Sequence, residues 1–487
     1  MPDEVAETTP KKAKAKHIVN DWPMYVLGLV ILVDQLDQNI LRGVLAQVQE
    51  HFHLSDFAAG MLVSSFIIAH GIMTVPAGYI ADRRNRVKTV GWTVIFWSLI
   101  SALTGASITF WQIFMIRAIL GFGQAMTEPA ANSLLADYYP MYRRGKAYSI
   151  QQVSFIIGMG AGLGLGGFIG EALGSWRWAF ALSAVPGLAT ALLVYKLREP
   201  KRGMGDRISA GVTKEFEPAE EHEHQKLFQW GLKRFLKDMI IGLRDDMKTI
   251  MAIQTLKYML VGVGTLLFTV MGVSAWLPIF YQREYGISEK AATALVGGMI
   301  AVGGTVGTLY GGRLADRLAS KIKGARAVIA GLSLIAATII FAISYLPMPL
   351  WIRFAIEVVG IIPLTMSIPA LRAGMADAIP ASLRGAGFAA FTLISAVLGS
   401  LAPPLIGWLS DMFNNNLRIA FYVVTPPVLL GAAILYRARN HMDDDAAKII
   451  GAVMTAMQHQ QQEESERERE AELETETETE TETETES

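Results

Sequence analysis

The sequence contains no cysteine among its 487 residues. Disulfides, thiol nucleophiles and cysteine-held metals are therefore excluded, although this leaves the compartment open. Charge is scarce as well: Asp, Glu, Lys and Arg make up 18% of the chain, against about 25% in an average soluble domain. The formal net charge is −1, so no global field favours nucleic acid. No GxxxxGK[ST] phosphate loop, GxSxG elbow or zinc-binding helix motif occurs. ATP-driven work and hydrolytic chemistry have no visible seat, and neither an enzyme activity, a cofactor nor a metal is expected.

What the chain has instead is apolar residues, 52% of the total, gathered in unbroken runs. Runs of about twenty cross ~30 Å of hydrocarbon at 1.5 Å per residue. The runs predict spans at 23–45, 58–80, 88–107, 109–135, 147–173 and 177–196, then at 255–281, 289–313, 325–346, 350–374, 385–408 and 417–436. They are rich in glycine and lack the alternation of barrel strands, so helices are expected. The first run exceeds a signal-peptide core and is followed by no small-residue cleavage pattern, so it is expected to be retained. The predicted fold class is an all-α membrane protein of about twelve helices in two six-helix bundles related by a pseudo-two-fold axis.

Basic residues fall on one side of these spans, in DRRNRVK (82–88), YRRGK (142–146), the 197–250 insert, DRLASKIKGAR (316–326) and around Arg384. Loops such as GASITF (105–110) and NNN (414–416) are poor in them. The positive-inside rule then predicts both termini in the cytoplasm, in a plasma or bacterial inner membrane.

Two echoes divide the chain. GYIADR at Gly78 returns as GRLADR at Gly312, pairing Asp82 with Asp316 and Arg83 with Arg317. Asp137, Pro140, Arg144 and Gly145 return as Asp377, Pro380, Arg384 and Gly385 at one constant offset. Duplication of a six-helix unit follows, and transporters with such repeats hold substrate near the midplane where the halves meet. The predicted organisation is a tail at 1–22, a bundle at 23–196, a linker at 197–254, a bundle at 255–436 and an acidic tail at 437–487. Within the linker, Leu227, Trp230, Phe235, Met239, Ile240, Leu243 and Met247 recur at helical spacing among Lys and Arg. They suit either a helix in the membrane interface or one packed on its own bundle. The closing ETETETETETES cannot bury a core and is expected to be disordered.

Several motifs resemble those of the major facilitator superfamily: GYIADRRNR after the second span, Arg117 followed by GFG (121–123) in the fourth, and GMGAGLGLGGFIG (158–170) in the fifth. Asn85 stands where the loop signature has a second glycine, and the usual proline of the fifth span is absent. Within that superfamily LDQNILRGVLAQVQEHF (36–52), GMLVSSFIIAHG, GYIADRRNR, FWSL and GFGQA are similar in order to the spinster lipid transporters. The resemblance implies alternating access and a lipid-like cargo. Two departures stand out. Gln38, not Arg, follows Asp37, with the nearest Arg at Arg42; and Gln124 replaces a Glu, with Glu128 one turn later.

Ionisable groups inside spans are costly and become functional candidates by default. Asp37 and Arg117 both lie roughly 12 Å deep by helical rise and are expected to face each other. They form either a proton-coupled switch or a static ion pair. Asp34 shares the face of Asp37 and takes part in coupling or lines a wet cavity. Arg42 snorkels to headgroups or meets substrate, and Glu128 is a proton or substrate site or a gate contact. His70 is a titratable candidate or a helix–helix hydrogen-bond partner. Glu357, the repeat counterpart of Arg117, is expected to pair locally with Arg353. Asp82 and Asp316 end their helices where a carboxylate can accept from a neighbouring helix N-terminus. With Arg83, Arg86, Asp137, Arg144 and Arg317 they are read as a cytoplasmic gate. Gly158, Gly162, Gly166 and Gly170 form a small-residue packing strip.

Phe268, Met271, Trp276, Phe280 and Met366 are expected along an apolar cavity wall. The expected function is secondary transport of an amphipathic lipid, lysophospholipid or sphingoid-phosphate-like, with proton coupling as an option and a monomer as the working unit. A proton-driven drug exporter, an organic-anion symporter and a non-transporting membrane sensor are the alternatives. Duplicated gate loops weigh against the sensor, and the anion symporter requires a pair of cations at the cavity centre.

Overall fold

The computed structural model describes residues 20–81, 84–209, 251–319, 321–378 and 384–445, with single helical positions at 237, 240, 241, 244, 248 and 447. Side chains at 75, 79, 81, 141, 142, 316, 319, 373, 376, 377 and 384–390 are outside that description. Most of the expected linker helix, and the tails at 1–19 and beyond 447, also lie outside the described residues.

The N-terminal half contains α1 (Trp22–Gly43), α2 (Leu45–Phe52), α3 (Asp56–Ala81), α4 (Arg86–Thr104) and α5 (Phe110–Gln124). It continues with α6 (Thr127–Tyr138), α7 (Met141–Ala172), α8 (Trp176–Val194) and the short α9 (Met204–Ser209). The C-terminal half holds α10 (Gln254–Tyr285), α11 (Glu289–Ala319), α12 (Ala325–Ser344), α13 (Leu350–Ala378), α14 (Arg384–Met412) and α15 (Leu417–Arg437). Local chemistry sets several starts: Pro23 occupies the first turn of α1, and Asn85, Thr109, Ser175 and Asn416 cap α4, α5, α8 and α15 through their side chains.

Among the described residues eleven helices are individually long and apolar enough to span a membrane. The expected helix over 109–135 is two pieces, α5 and α6, and this is a correction. Pro129 has no N–H to give the carbonyl of Ala125 and its ring crowds that carbonyl; the chain turns at Ala125 and Met126. Together α5 and α6 make the twelfth crossing. An even number of crossings brings the start of α1 and the end of α15 to one face, here called the terminal face; the other is the opposite face.

Within the halves α1 packs on α7, α4 on α8, α10 on α14, and α12 on α13. Between them α3 lies against α14 and α7 against α11. One apolar cluster stays in the N-terminal half, around Leu27, Val30, Trp97 and Leu134. The other runs from Ile40, Val44 and Leu62 straight into Trp276, Phe280 and Leu334. The halves therefore share a core toward the opposite face. The hydrogen bonds and ion pairs between the halves, among the described residues, also lie on that side, from Ser64 on the backbone of Ser400 outward. The protein is closed at the opposite face.

Candidate functional site: a buried cation pair where the halves meet

Helix α1 carries the densest set of buried polar groups. Asp37 is fully buried, and its Oδ1 accepts from the hydroxyl of Ser101 on α4 and, at 2.9 Å, from Ser183 on α8. Its Oδ2 accepts from Nε2 of Gln124 at 3.0 Å, where α5 breaks. The expected ion pair with Arg117 is not made within 4 Å, which corrects the sequence reading. Short hydroxyls from two neighbouring helices reach the carboxylate first and hold it inside the N-terminal half.

Arg117 is left largely without acceptors. Its Nη2 donates to the carbonyl of Gln38 at 3.3 Å, and its guanidinium stands 4.9 Å over the ring of Phe66. Its Nε and Nη1 are buried with no partner. Arg42, one helical turn past Gln38, also turns inward. Snorkelling is ruled out by its burial at 8% exposure. Nη1 donates to Asn39 at 2.7 Å and Nη2 meets the sulfur of Met271, across in the other half, at 3.1 Å. The charge of Arg117 acts on Arg42. Among the described residues no carboxylate lies within ion-pair reach of either. The chain thus holds two buried cations here, of which Arg117 has unpartnered donors, a state that costs several kcal/mol unless an anion answers it.

Asp34 lies one turn toward the terminal face. Its Oδ2 accepts from Gln38 at 2.8 Å and Gln35 at 3.3 Å, while Oδ1 is buried and unpartnered. Glu128, the second residue of α6, is exposed, and its charge acts on Asp34 and His70. Asp34, Glu128 and His70 therefore share one region on the terminal side of the cation pair.

Glu357 lies elsewhere. It sits inside the C-terminal half, accepting from Tyr281 at 2.6 Å and Ser344 at 3.1 Å. The expected Arg353 pair is absent, a second correction. Arg353 instead stacks on Phe280 and Tyr285, at 4.5 and 5.3 Å, and donates to the carbonyl of Leu346. Trp276 and Phe280 are also core residues rather than cavity wall. Trp276 donates to Pro403 at 2.8 Å, and Phe280 packs on Phe421. Phe268, Met271 and Met366 are only partly buried.

Of the expected gate residues, Asp82 and Arg83 and the side chain of Asp316 are outside the described residues, and Arg317 is exposed. Arg86, Asp137 and Arg144 make their bonds within the N-terminal half. Arg86 is buried between Asp137 and Glu199, the latter at 2.7 Å, and donates to Pro200 at 3.0 Å. Asp137 accepts from the backbone of Gly203 at 3.0 Å, and Arg144 reaches Asp206 at 2.6 Å. These residues tie the start of the linker to the base of their own bundle. Ser101, Ser183 and Asn39 were not singled out from sequence, and Met271 was read only as apolar cavity wall. The only signal for the serines is a small hydroxyl within an apolar run.

Two packed helical halves, closed at one face around buried charges, are the architecture of a membrane transporter. The chain belongs to the Major Facilitator Superfamily, whose model matches residues 27–403. Within it the similarity runs to spinster proteins. The chain is 22% identical to the "Probable sphingolipid transporter spinster homolog 1" of Arabidopsis thaliana, over 88% of this chain and 90% of that protein. It is 25% identical to the "Sphingosine-1-phosphate transporter SPNS2" of Mus musculus, over 55% of this chain and 45% of that one. In fold it is similar to a bacterial homolog of the human lysosomal transporter Spinster, solved inward-facing and unoccupied. The TM-score is 0.71 at 20% identity, covering 87% of this chain and 98% of that one. It is a transporter and not an enzyme.

Proposed function

We propose that the chain moves an anionic amphipathic lipid, of the lysophospholipid or sphingoid-phosphate kind, across the membrane by alternating access. The observation that carries this reading is a pair of buried arginines, Arg117 with two unpartnered donor nitrogens and Arg42 reaching Met271 in the other half. Guanidinium forks suit the several oxygens of a phosphate headgroup. Partly buried apolar side chains such as Phe268 and Met271 suit the tail. The cargo words in the names of the Arabidopsis and mouse relatives point the same way. Proton coupling is assigned to Asp37, with Asp34 and Glu128 as the route toward the terminal face. That face is assigned to the cytoplasm by its basic loops, and the working unit to a monomer. The two halves are taken as 23–196 and 255–436, joined by the 197–254 linker.

The same pair of cations also favours a second reading, symport of a small organic anion. Both are tested by reconstituting the protein and measuring binding of a lysophospholipid, a small dicarboxylate and a hydrophobic cationic drug. Lipid should bind best, and Arg42→Ala and Arg117→Ala should each weaken it roughly tenfold or more, the worth of one charged hydrogen bond. Dicarboxylate binding without lipid binding selects the second reading. Equal binding of lipid and drug, indifferent to both arginines, overturns both.

A further inference from the structure

Helices α12 and α15 run in opposite directions on the flank of the C-terminal half, packed on each other and on helices of that half. A groove of about 260 Å³ lies between them. Ile339, Ile343 and Leu346 line it from the α12 side, and Tyr422, Thr425 and Leu429 from α15. Ile339, Ile343, Leu346 and Leu429 are exposed, so within the bilayer the groove opens to hydrocarbon. Its volume falls below the ~300–1,000 Å³ of a site that encloses a whole small molecule. It fits one acyl chain laid along the surface.

The wall is apolar with one exception. Thr338 and Thr425 donate their hydroxyls to carbonyls of their own helices, each at 2.7 Å. The hydroxyl of Tyr422 is buried and has no partner among the described residues. Its ring is held edge-on by Tyr345 at 5.9 Å, and Tyr345 stacks on Phe421 at 4.9 Å. A buried hydroxyl fixed in place without an acceptor is costly until one arrives.

Arg418 stands one turn nearer the opposite face on the same side of α15. Its Nη2 donates to Glu284 on α10, while its Nε is buried without a partner. Four residues separate it from Tyr422, about 6 Å of helix, which matches the headgroup layer on one side of a bilayer. Inward along this face the order is guanidinium, hydroxyl, hydrocarbon. A glycerophospholipid presents phosphate, ester carbonyl and acyl chain in that same order. Its oxygens accept, and both protein groups donate.

We infer that the groove holds a glycerophospholipid of the leaflet at the opposite face. Arg418 takes its phosphate, the Tyr422 hydroxyl donates to an ester carbonyl, and one acyl chain lies between α12 and α15. The site goes beyond the cargo reading, because no residue of the Arg42–Arg117 cluster lies on α12 or α15. The lipid held here is a resident of the surface, not cargo.

The test uses a phosphatidylglycerol carrying a diazirine in its acyl chain, in liposomes that hold the full chain. After illumination the crosslinked peptides are mapped. Crosslinks should concentrate on 338–346 and 422–429; cargo lipid at the cation pair would instead mark α1 or α5. Tyr422→Phe, which keeps the ring, should lower the groove crosslink about threefold to tenfold, the scale of one hydrogen bond, and Arg418→Ala about tenfold. Should the alanine variant not fold, Arg418→Lys keeps the charge opposite Glu284 and is expected to lower the crosslink less. A diacylglycerol with the same diazirine chain, lacking the phosphate, should label the groove about tenfold more weakly. Even labelling of all membrane-facing peptides overturns the inference. So does a groove crosslink within twofold of the parent's in the folded variants, or equal labelling by the diacylglycerol.

Discussion

Asp37 and Arg117 are neighbours in one buried cluster, yet their charges do not touch. Two serine hydroxyls and the amide of Gln124 surround the carboxylate, while Arg117 turns to the carbonyl of Gln38. An acid held by neutral donors gains or loses a proton without breaking an ion pair, and an arginine left open can accept a headgroup. Under the proposed function the split gives the two charges different tasks: one in coupling, the other in cargo binding.

The first prediction concerns Asp37→Asn. The Oε1 of Gln124 is buried without a partner, so Gln124 can rotate its amide and accept from the new carboxamide. The variant should therefore fold normally. Removing the negative charge leaves Arg117 less compensated, so anionic lipid should bind as well as before or about three- to tenfold tighter, the scale of ~1 kcal/mol of screened attraction. Transport should lose its dependence on pH. Lipid flux measured in liposomes across a range of pH decides this: a rate and pH profile matching the parent's would remove Asp37 from coupling.

Much of the architecture was legible in the sequence because its causes are local. Apolar run length fixes spans, and the GYIADR and GRLADR echoes mark the two halves. Pro129 also signalled the break in the fourth crossing, but the apolar run around it hid the signal. The partners of buried charges were another matter. Whether Asp37 meets Arg117 or Ser183 depends on the rotation and depth of four helices, and an ångström or two decides it. Arg42 shows the same limit. By depth alone it belongs at a headgroup, and only the approach of Met271 from the other half places it at the centre. The bonds that Asp411 accepts from the backbone of Asp56 and Phe57 were missed for a related reason. The two acids stand at helix ends far apart in sequence, and nothing local announces that α3 and α14 meet there.

A second prediction follows from the entry to α1. Asp21 precedes that helix, bonded to Arg143 and, at 2.7 Å, to Lys146. The Lys146 hydrogen bond, followed by the charges of Arg143 and Lys146, holds the Asp21 carboxyl below its ordinary value of 3.8. A lowered folded-state value means the bond stabilises fully above that ordinary value and is lost as pH falls through the folded one. Asp21→Asn should therefore melt slightly below the parent at pH 7, by about a degree or two at most for so exposed a pair. In stronger acid the two melting curves should converge. A gap that persists there would mean the side chain acts through packing instead.

The third prediction separates two glycines on one helix. A methyl group at Gly162 would lie 2.1 Å from the carbonyl oxygen of Leu36, and one at Gly158 would lie 2.3 Å from that of Leu32. Both oxygens are backbone atoms of α1, so neither can swing aside, and the two helices must separate along their length. Such overpacking costs about 1–3 kcal/mol or more, and it would also move Asp34 and Asp37 away from α4 and α8. Gly162→Ala should accordingly lower the melting temperature by several degrees and weaken lipid binding. At Gly145, near the start of the same helix, an added methyl meets nothing within 4 Å. There alanine only improves helix propensity, by roughly 0.5–1 kcal/mol, so Gly145→Ala should match or exceed the parent's stability. Melting both variants in detergent, beside the parent, checks the argument directly. If Gly162→Ala is as stable as Gly145→Ala, α1 and α7 are not held at backbone contact, and the buried cluster on α1 loses the packing assigned to it.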